Sequence, residues 1–187
     1  MRQTIDSSPA PQAPVTGFTA ADIAQILVER GWLAAATTMP ANDALQAWLA
    51  RAAELLGPHA ADRKELAELL ALVFGYEAAA LLQEPASQAV LAREGSREVI
   101  RELANRVLDG GEIDSDRFKE IIEGIKAVAP YRSRELFQPI RLALAGRAGE
   151  GDLDRVILLL DPAAKLESAA AVKGTRRRML EFCAAMD

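Results

Sequence analysis

Apolar residues recur at three- and four-residue intervals along most of the chain, the spacing that lays one hydrophobic stripe on an α-helix. The first run opens at Thr19, whose hydroxyl can cap a helix with Asp22 as its third residue. Ile23, Ile26 and Leu27 then share a face, and Gly31 offers a left-handed stop. After Pro40, Leu45, Trp48, Leu49, Ala52, Leu55 and Leu56 keep the same period until Gly57-Pro58 breaks it. A stronger run follows in Leu66, Leu69, Leu70, Val73 and Phe74, with Leu81 and Leu82 extending it and Pro85 as its outer limit.

The second half repeats the theme. Val99, Ile100, Leu103 and Val107 mark a helix that stops at Gly110-Gly111. Asp114 or Ser115 then caps one carrying Phe118, Ile121, Ile122, Ile125 and Val128, which Pro130 ends. Leu136 to Leu144 is apolar at nearly every turn, and Pro139 in its middle predicts a bend. A small helix over 152–160 and a last one after Pro162 complete the series. No segment alternates with period two, so the expectation is an all-α bundle or cage of eight to nine helices with no sheet. Residues 1–18, rich in Pro, Ala, Ser and Thr, read as a tail. The glycines and polar cluster near 110–114 suggest two helical subdomains, 19–111 and 112–187.

Composition narrows the function classes. Half of the 187 residues are hydrophobic, enough for a real core, and the formal net charge of -5 argues against a general basic coat. Charge is uneven, however. Residues 1–129 carry 12 basic and 19 acidic side chains, net -7, whereas 130–187 carry 10 and 8, net +2. Contact with nucleic acid would therefore be local and toward the carboxy-terminal third. One cysteine, Cys183, and one histidine, His59, leave neither an internal disulfide nor a Cys/His metal set. The longest uncharged run, Ser7 to Ala21, is 15 residues with three prolines, too short and broken to span a bilayer. A cytoplasmic protein without cofactor or metal is the expectation.

No phosphate loop, dinucleotide fingerprint, zinc-helix motif or nucleophile elbow is present, so no catalytic residue is assigned. Carboxylate pairs such as Glu65/Glu68, Glu98/Glu102 and Glu120/Glu123 fit a solvated helix face. Lys173, Arg176, Arg177 and Arg178 form a basic cluster. It is either a solvated helix end or a phosphate-contacting patch joined by Arg132, Arg134, Arg141 and Arg147, because guanidinium groups pair with phosphate oxygens through two hydrogen bonds.

One segment is more distinctive. Leu136-Phe137-Gln138-Pro139-Ile140-Arg141-Leu142-Ala143-Leu144-Ala145-Gly146 resembles the LFxP(L/I)RxALTG sequence in the anticodon-binding region of bacterial glutamyl-tRNA synthetases, class I enzymes. The likeness extends over roughly residues 44–166, with Leu158-Leu159-Leu160 where the family often ends in Leu-Leu-Gly. It implies an all-helical cage that receives a tRNA anticodon, with Pro139 and Arg141 near the bases and Leu136 and Phe137 as packing residues. The family's Gly-Lys-Lys lead-in is here Tyr131-Arg132-Ser133-Arg134, and its Thr-Gly is Ala145-Gly146. The nucleotide-binding signatures of the enzymes are absent from the 187 residues, so the resemblance implies an anticodon-binding-like module that contacts tRNA without activating glutamate. The alternative is a helical scaffold that binds a separate protein partner and has lost RNA. Arg141 stays open between a base or phosphate contact, a helix-end cap, and a pair with Glu135.

Overall fold

A computed structural model describes residues 17–34, 43–167 and 170–186, and these contain ten α-helices, one short 3-10 turn and no strand. Most of the tail, and Pro40, lie outside the described residues. Phe18, at the tail's end, packs against the hydrophobic core.

The first helix, α1 (Ala20–Glu29), starts where the sequence places it. Asp22 donates its backbone N–H to the Thr19 hydroxyl while the Asp22 carboxylate accepts the Thr19 N–H at 2.7 Å, a reciprocal cap that satisfies two end donors. Helix α2 (Asp43–Leu56) buries Leu45, Trp48, Leu49, Ala52 and Leu56. Helix α3 (Arg63–Phe74), capped by the Asp62 carboxylate, buries Leu66, Leu69, Leu70 and Val73. Phe74 stacks on Trp32 at 5.1 Å and meets the edge of Trp48 at 5.9 Å, joining the first three helices through aromatic contacts.

Two short helices depart from the sequence reading. Leu81 and Leu82 do not extend α3, because the chain turns at Gly75 and restarts as α4 (Ala78–Gln83). Pro85 begins a helix instead of limiting one. It sits at the first position of α5 (Pro85–Leu91), where its fixed φ suits the turn and its missing N–H is not required. Helix α6 (Ser96–Leu108) and α7 (Ser115–Val128) follow, with Asp114 capping α7 through the Arg117 N–H at 2.8 Å.

Helices α8 (Ser133–Ala145) and α9 (Asp152–Ala164) form the centre. From Pro139 to Ala145 every residue of α8 is buried, as an apolar run without a polar face requires. The bend expected at Pro139 does not interrupt the helix. Proline removes the N–H that would reach the Glu135 carbonyl, but Glu135 lies exposed in the first turn, where water can take that acceptor. Likewise α9 runs past Leu160 and through Pro162, and the last helix, α10 (Thr175–Met186), begins only at Thr175.

Helix α9 packs against α2, α3 and α8, while α10 packs against α4, α6, α8 and α9. Asp161, largely buried in α9, accepts from the Ile113 N–H at 2.7 Å and from both the N–H and hydroxyl of Thr175. One carboxylate thereby ties the turn before α7 to the start of α10. A continuous hydrophobic cluster runs from Ile23 to Phe182. No helix of the described residues is long and apolar enough to cross a membrane.

Candidate functional site

The corner between α7 and α8 carries Arg132 and Arg134 of the residues singled out from the sequence, with Arg141 further along α8. Arg132, the N-cap of α8, turns its guanidinium back onto α7 and donates to the carbonyls of Ala129 at 2.9 Å and Lys126 at 3.1 Å. A cation there satisfies orphan acceptors and opposes the negative end of the helix dipole. Ser133 then takes φ 48°, the sole positive value for a non-glycine among the described residues, and so sharpens the turn into α8.

Behind the corner, the Tyr131 ring comes close against Gly95, whose φ is 81° and whose missing side chain makes the approach possible, since a Cβ there would overlap the ring. The Tyr131 hydroxyl donates to Glu98 at 3.0 Å, and that bond raises the phenol above its ordinary pKa. Loop and helix are thus pinned together, with Tyr131 packed against the edge of the core.

Arg141 is mostly buried, its side chain 10% exposed. It pairs with neither Glu135 nor a helix end. Its Nε and Nη2 donate to the two Asp154 oxygens at 2.7 and 2.9 Å, and Nη1 donates to the Gly149 carbonyl at 3.0 Å. The guanidinium also lies 4.9 Å from the centroid of the Phe137 ring. Such a fork holds the 146–151 loop against α8 with fixed geometry. Above it opens a cleft of about 340 Å³ lined by Ser133, Arg134, Phe137, Gln138, Arg141 and the Gly149–Gly151 turn.

Pro139 is buried and does not line that cleft. Arg134 stands at its rim, 70% exposed and 4.0 Å from Glu150. Arg147 is exposed as well. Gln138 was not read from the sequence as a site residue; it lines the cleft and accepts a hydrogen bond from Arg93 of the turn before α6. Neither that contact nor the Arg141–Asp154 pair has a periodic signature, because each joins residues set side by side by helix packing.

The basic cluster near the carboxy terminus is not one patch. Lys173 bridges Glu77 at 3.0 Å and Glu181 at 2.8 Å, Arg177 pairs with Glu181 at 2.6 Å, and Arg176 donates to the Leu108 carbonyl at the end of α6. Arg178 departs from both the solvated-end and the phosphate-patch readings, since it is 0% exposed. It donates to the carbonyls of Leu72, Val73, Leu144 and Lys173 at 2.7 to 2.9 Å and lies over the Tyr76 ring at 4.5 Å. Burial pushes its pKa down to about 10, still leaving the guanidinium charged at neutral pH, and burial likewise raises the Tyr76 phenol. This residue of the first turn of α10 is drawn inward because the last turns of α3 and α8 present unmatched carbonyls there.

Among the described residues no group of three or more His, Cys, Asp or Glu side chains could hold a metal ion.

The chain matches the family model described as an anticodon binding domain over residues 23–167. It is also similar to the glutamate-tRNA ligase 2 of Syntrophus aciditrophicus (strain SB), 26% identical over 113 residues. That stretch is 60% of this chain and 23% of the relative, so the chain matches under a quarter of that protein's length. No solved structure matches it significantly. Helix α10 lies beyond the family match.

Proposed function

This chain belongs to the anticodon binding domain family, and on that basis we propose that its 187 residues bind tRNA through the α7–α8 corner without charging it. The observation that supports this most is the cleft beneath Arg134. It combines an exposed guanidinium, the amide of Gln138, the face of Phe137 and the backbone of a glycine-flanked turn, all held on a buried Arg141–Asp154 fork. Unstacked RNA bases are recognised by that mixture of aromatic surface, amide donors and acceptors, and guanidinium planes. Arg141, its side chain committed to Asp154 and Gly149, acts as a positioning residue, while Arg134 and Arg147 on either side of it are exposed and available to RNA. The reaction of the similar ligase, joining glutamate to tRNA, would require a nucleotide-binding domain that these residues do not contain.

Titration of the chain with labelled tRNA is expected to give binding that weakens as salt rises, because phosphate contacts release counterions. Arg134→Gln is expected to weaken it about tenfold, the worth of about 1.4 kcal/mol. Absence of binding by the unsubstituted chain at low salt removes the proposal.

A further inference from the structure

Helix α6 carries two parallel charge stripes at four-residue spacing. One is Arg93, Arg97 and Arg101, the other Glu94, Glu98 and Glu102, with Arg93 and Glu94 in the turn just before the helix. Such an arrangement would ordinarily neutralise itself. Packing separates the two instead. Glu98 accepts the Tyr131 hydroxyl, and Glu102 lies 3.9 Å from Arg106, whose guanidinium in turn donates to the Gly124 carbonyl of α7. The carboxylates of that stripe therefore lean toward α7, leaving Glu94 as the exposed acid.

The arginines are left over. All three are exposed, and among the described residues neither Arg97 nor Arg101 has an ion pair. Arg97 and Arg101 are one helical turn apart, a rise of about 6 Å. Arg93 bonds to Gln138, which lines the cleft under Arg134, and Arg97 lines an adjoining groove of about 890 Å³ together with Tyr131. The row thus starts at the rim of the candidate interface and runs away from it along α6.

We infer that Arg93, Arg97 and Arg101 form a phosphate-tracking row that guides an RNA backbone leaving the Arg134 cleft. This rests on the RNA-binding reading given above and adds the path the strand takes. A polyanion suits this surface because the three cations recur at four-residue spacing, Arg97 and Arg101 lie on α6 without an ion pair among the described residues, and Arg93 and Arg97 both line the neighbouring groove. Phosphate contacts of this kind fix register and carry no sequence information.

The test measures binding of a labelled tRNA stem–loop to the full chain over a range of salt concentrations. Arg97→Gln/Arg101→Gln is compared with Arg134→Gln and with a control, Lys64→Gln/Lys119→Gln, that removes the same charge from exposed lysines of α3 and α7. The row predicts that the arginine double variant lowers the slope of log affinity against log salt by about 1.4 for a single strand or about 1.8 for a duplex. The loss should be equal for stem–loops of different sequence, with the control slope unchanged. An unchanged slope in the double variant, while Arg134→Gln still weakens binding, overturns the row and leaves the cleft standing. Equal slope changes in variant and control overturn it in favour of net charge alone. No binding by the unsubstituted chain at low salt overturns both readings.

Discussion

Arg178 shows how much one side chain can decide. Three of its four backbone hydrogen bonds close the ends of α3 and α8 from a position on α10, the fourth goes to the Lys173 carbonyl, and its plane covers Tyr76, whose own hydroxyl reaches the Ala143 carbonyl at 2.7 Å. Replacing it with methionine keeps most of the volume but strands those carbonyls in a place water does not reach. Each unmatched buried acceptor costs about 1 to 3 kcal/mol, so Arg178→Met is expected to destabilise the chain by about 3 kcal/mol or more. Urea unfolding should show a lower midpoint with an unchanged slope; an unshifted midpoint would mean the guanidinium contributes nothing net. From the sequence, Arg178 could not be told from Arg176 and Arg177. At 100° per residue three consecutive arginines must point in different directions, but only the packed neighbours reveal which of them faces the carbonyls. Arg141 is a similar case. The motif marked it, yet its partner Asp154 comes from the next helix.

At the scale of elements, capping and periodicity carried most of the information. Thr19, Asp62 and Asp114 start their helices through side-chain oxygens, and the apolar faces of α2, α3, α6 and α7 are buried largely as their spacing requires, except that Val128, at the last position of α7, is 58% exposed where the helix runs out of neighbours. Prolines misled, because their effect depends on position. Pro85 opens α5, Pro139 sits within α8, and Pro162 falls near the end of α9, where few later N–H groups depend on the distortion. The join between α4 and α10 also depends on charge. Lys173 holds Glu77 and Glu181, and its hydrogen bond keeps the Glu181 carboxyl below the usual carboxylate range. The folded state thus binds that proton more weakly than the unfolded chain. Its stabilising contribution is complete above the unfolded value of about 4.3 and is lost as pH falls through the depressed folded value. Lys173, raised chiefly by the same bond, gives the mirror image: its contribution is full below its unfolded value and lost as pH rises through the folded one. Glu181→Gln should accordingly flatten the fall in melting temperature between about pH 5 and pH 3. A curve parallel to that of the unsubstituted chain would show the link to be inert.

For the whole molecule, α10 is the element least expected from the likeness and most involved in the core. Met179 and Phe182 are fully buried on it, and it touches α4, α6, α8 and α9. Ending the chain at Val172 should expose that apolar surface, release Asp161 and remove Arg178 together. The expected result is loss of a single cooperative unfolding transition and gain of dye-binding hydrophobic surface. A truncated chain that still melts cooperatively near the original temperature would contradict this account. The groove beside Arg97 is also bordered by Ala185 and Met186 of α10, so the end of this helix helps shape the surface on which the RNA proposal rests.

What the amino-acid order determined by itself was local. Helical class, most helix starts and core faces, and the family motif at 136–146 follow from side-chain periodicity, caps and a short contiguous pattern. Only the packed structure decided which charges remain available. Arg178 was taken inside by orphan carbonyls and Arg141 by Asp154, while Arg97 and Arg101 were left facing solvent when Glu98 and Glu102 turned toward Tyr131 and Arg106. The reason is physical: a helical pattern is set by neighbours a turn away, whereas the partner of a charge is whichever group tertiary packing brings within about 3 Å.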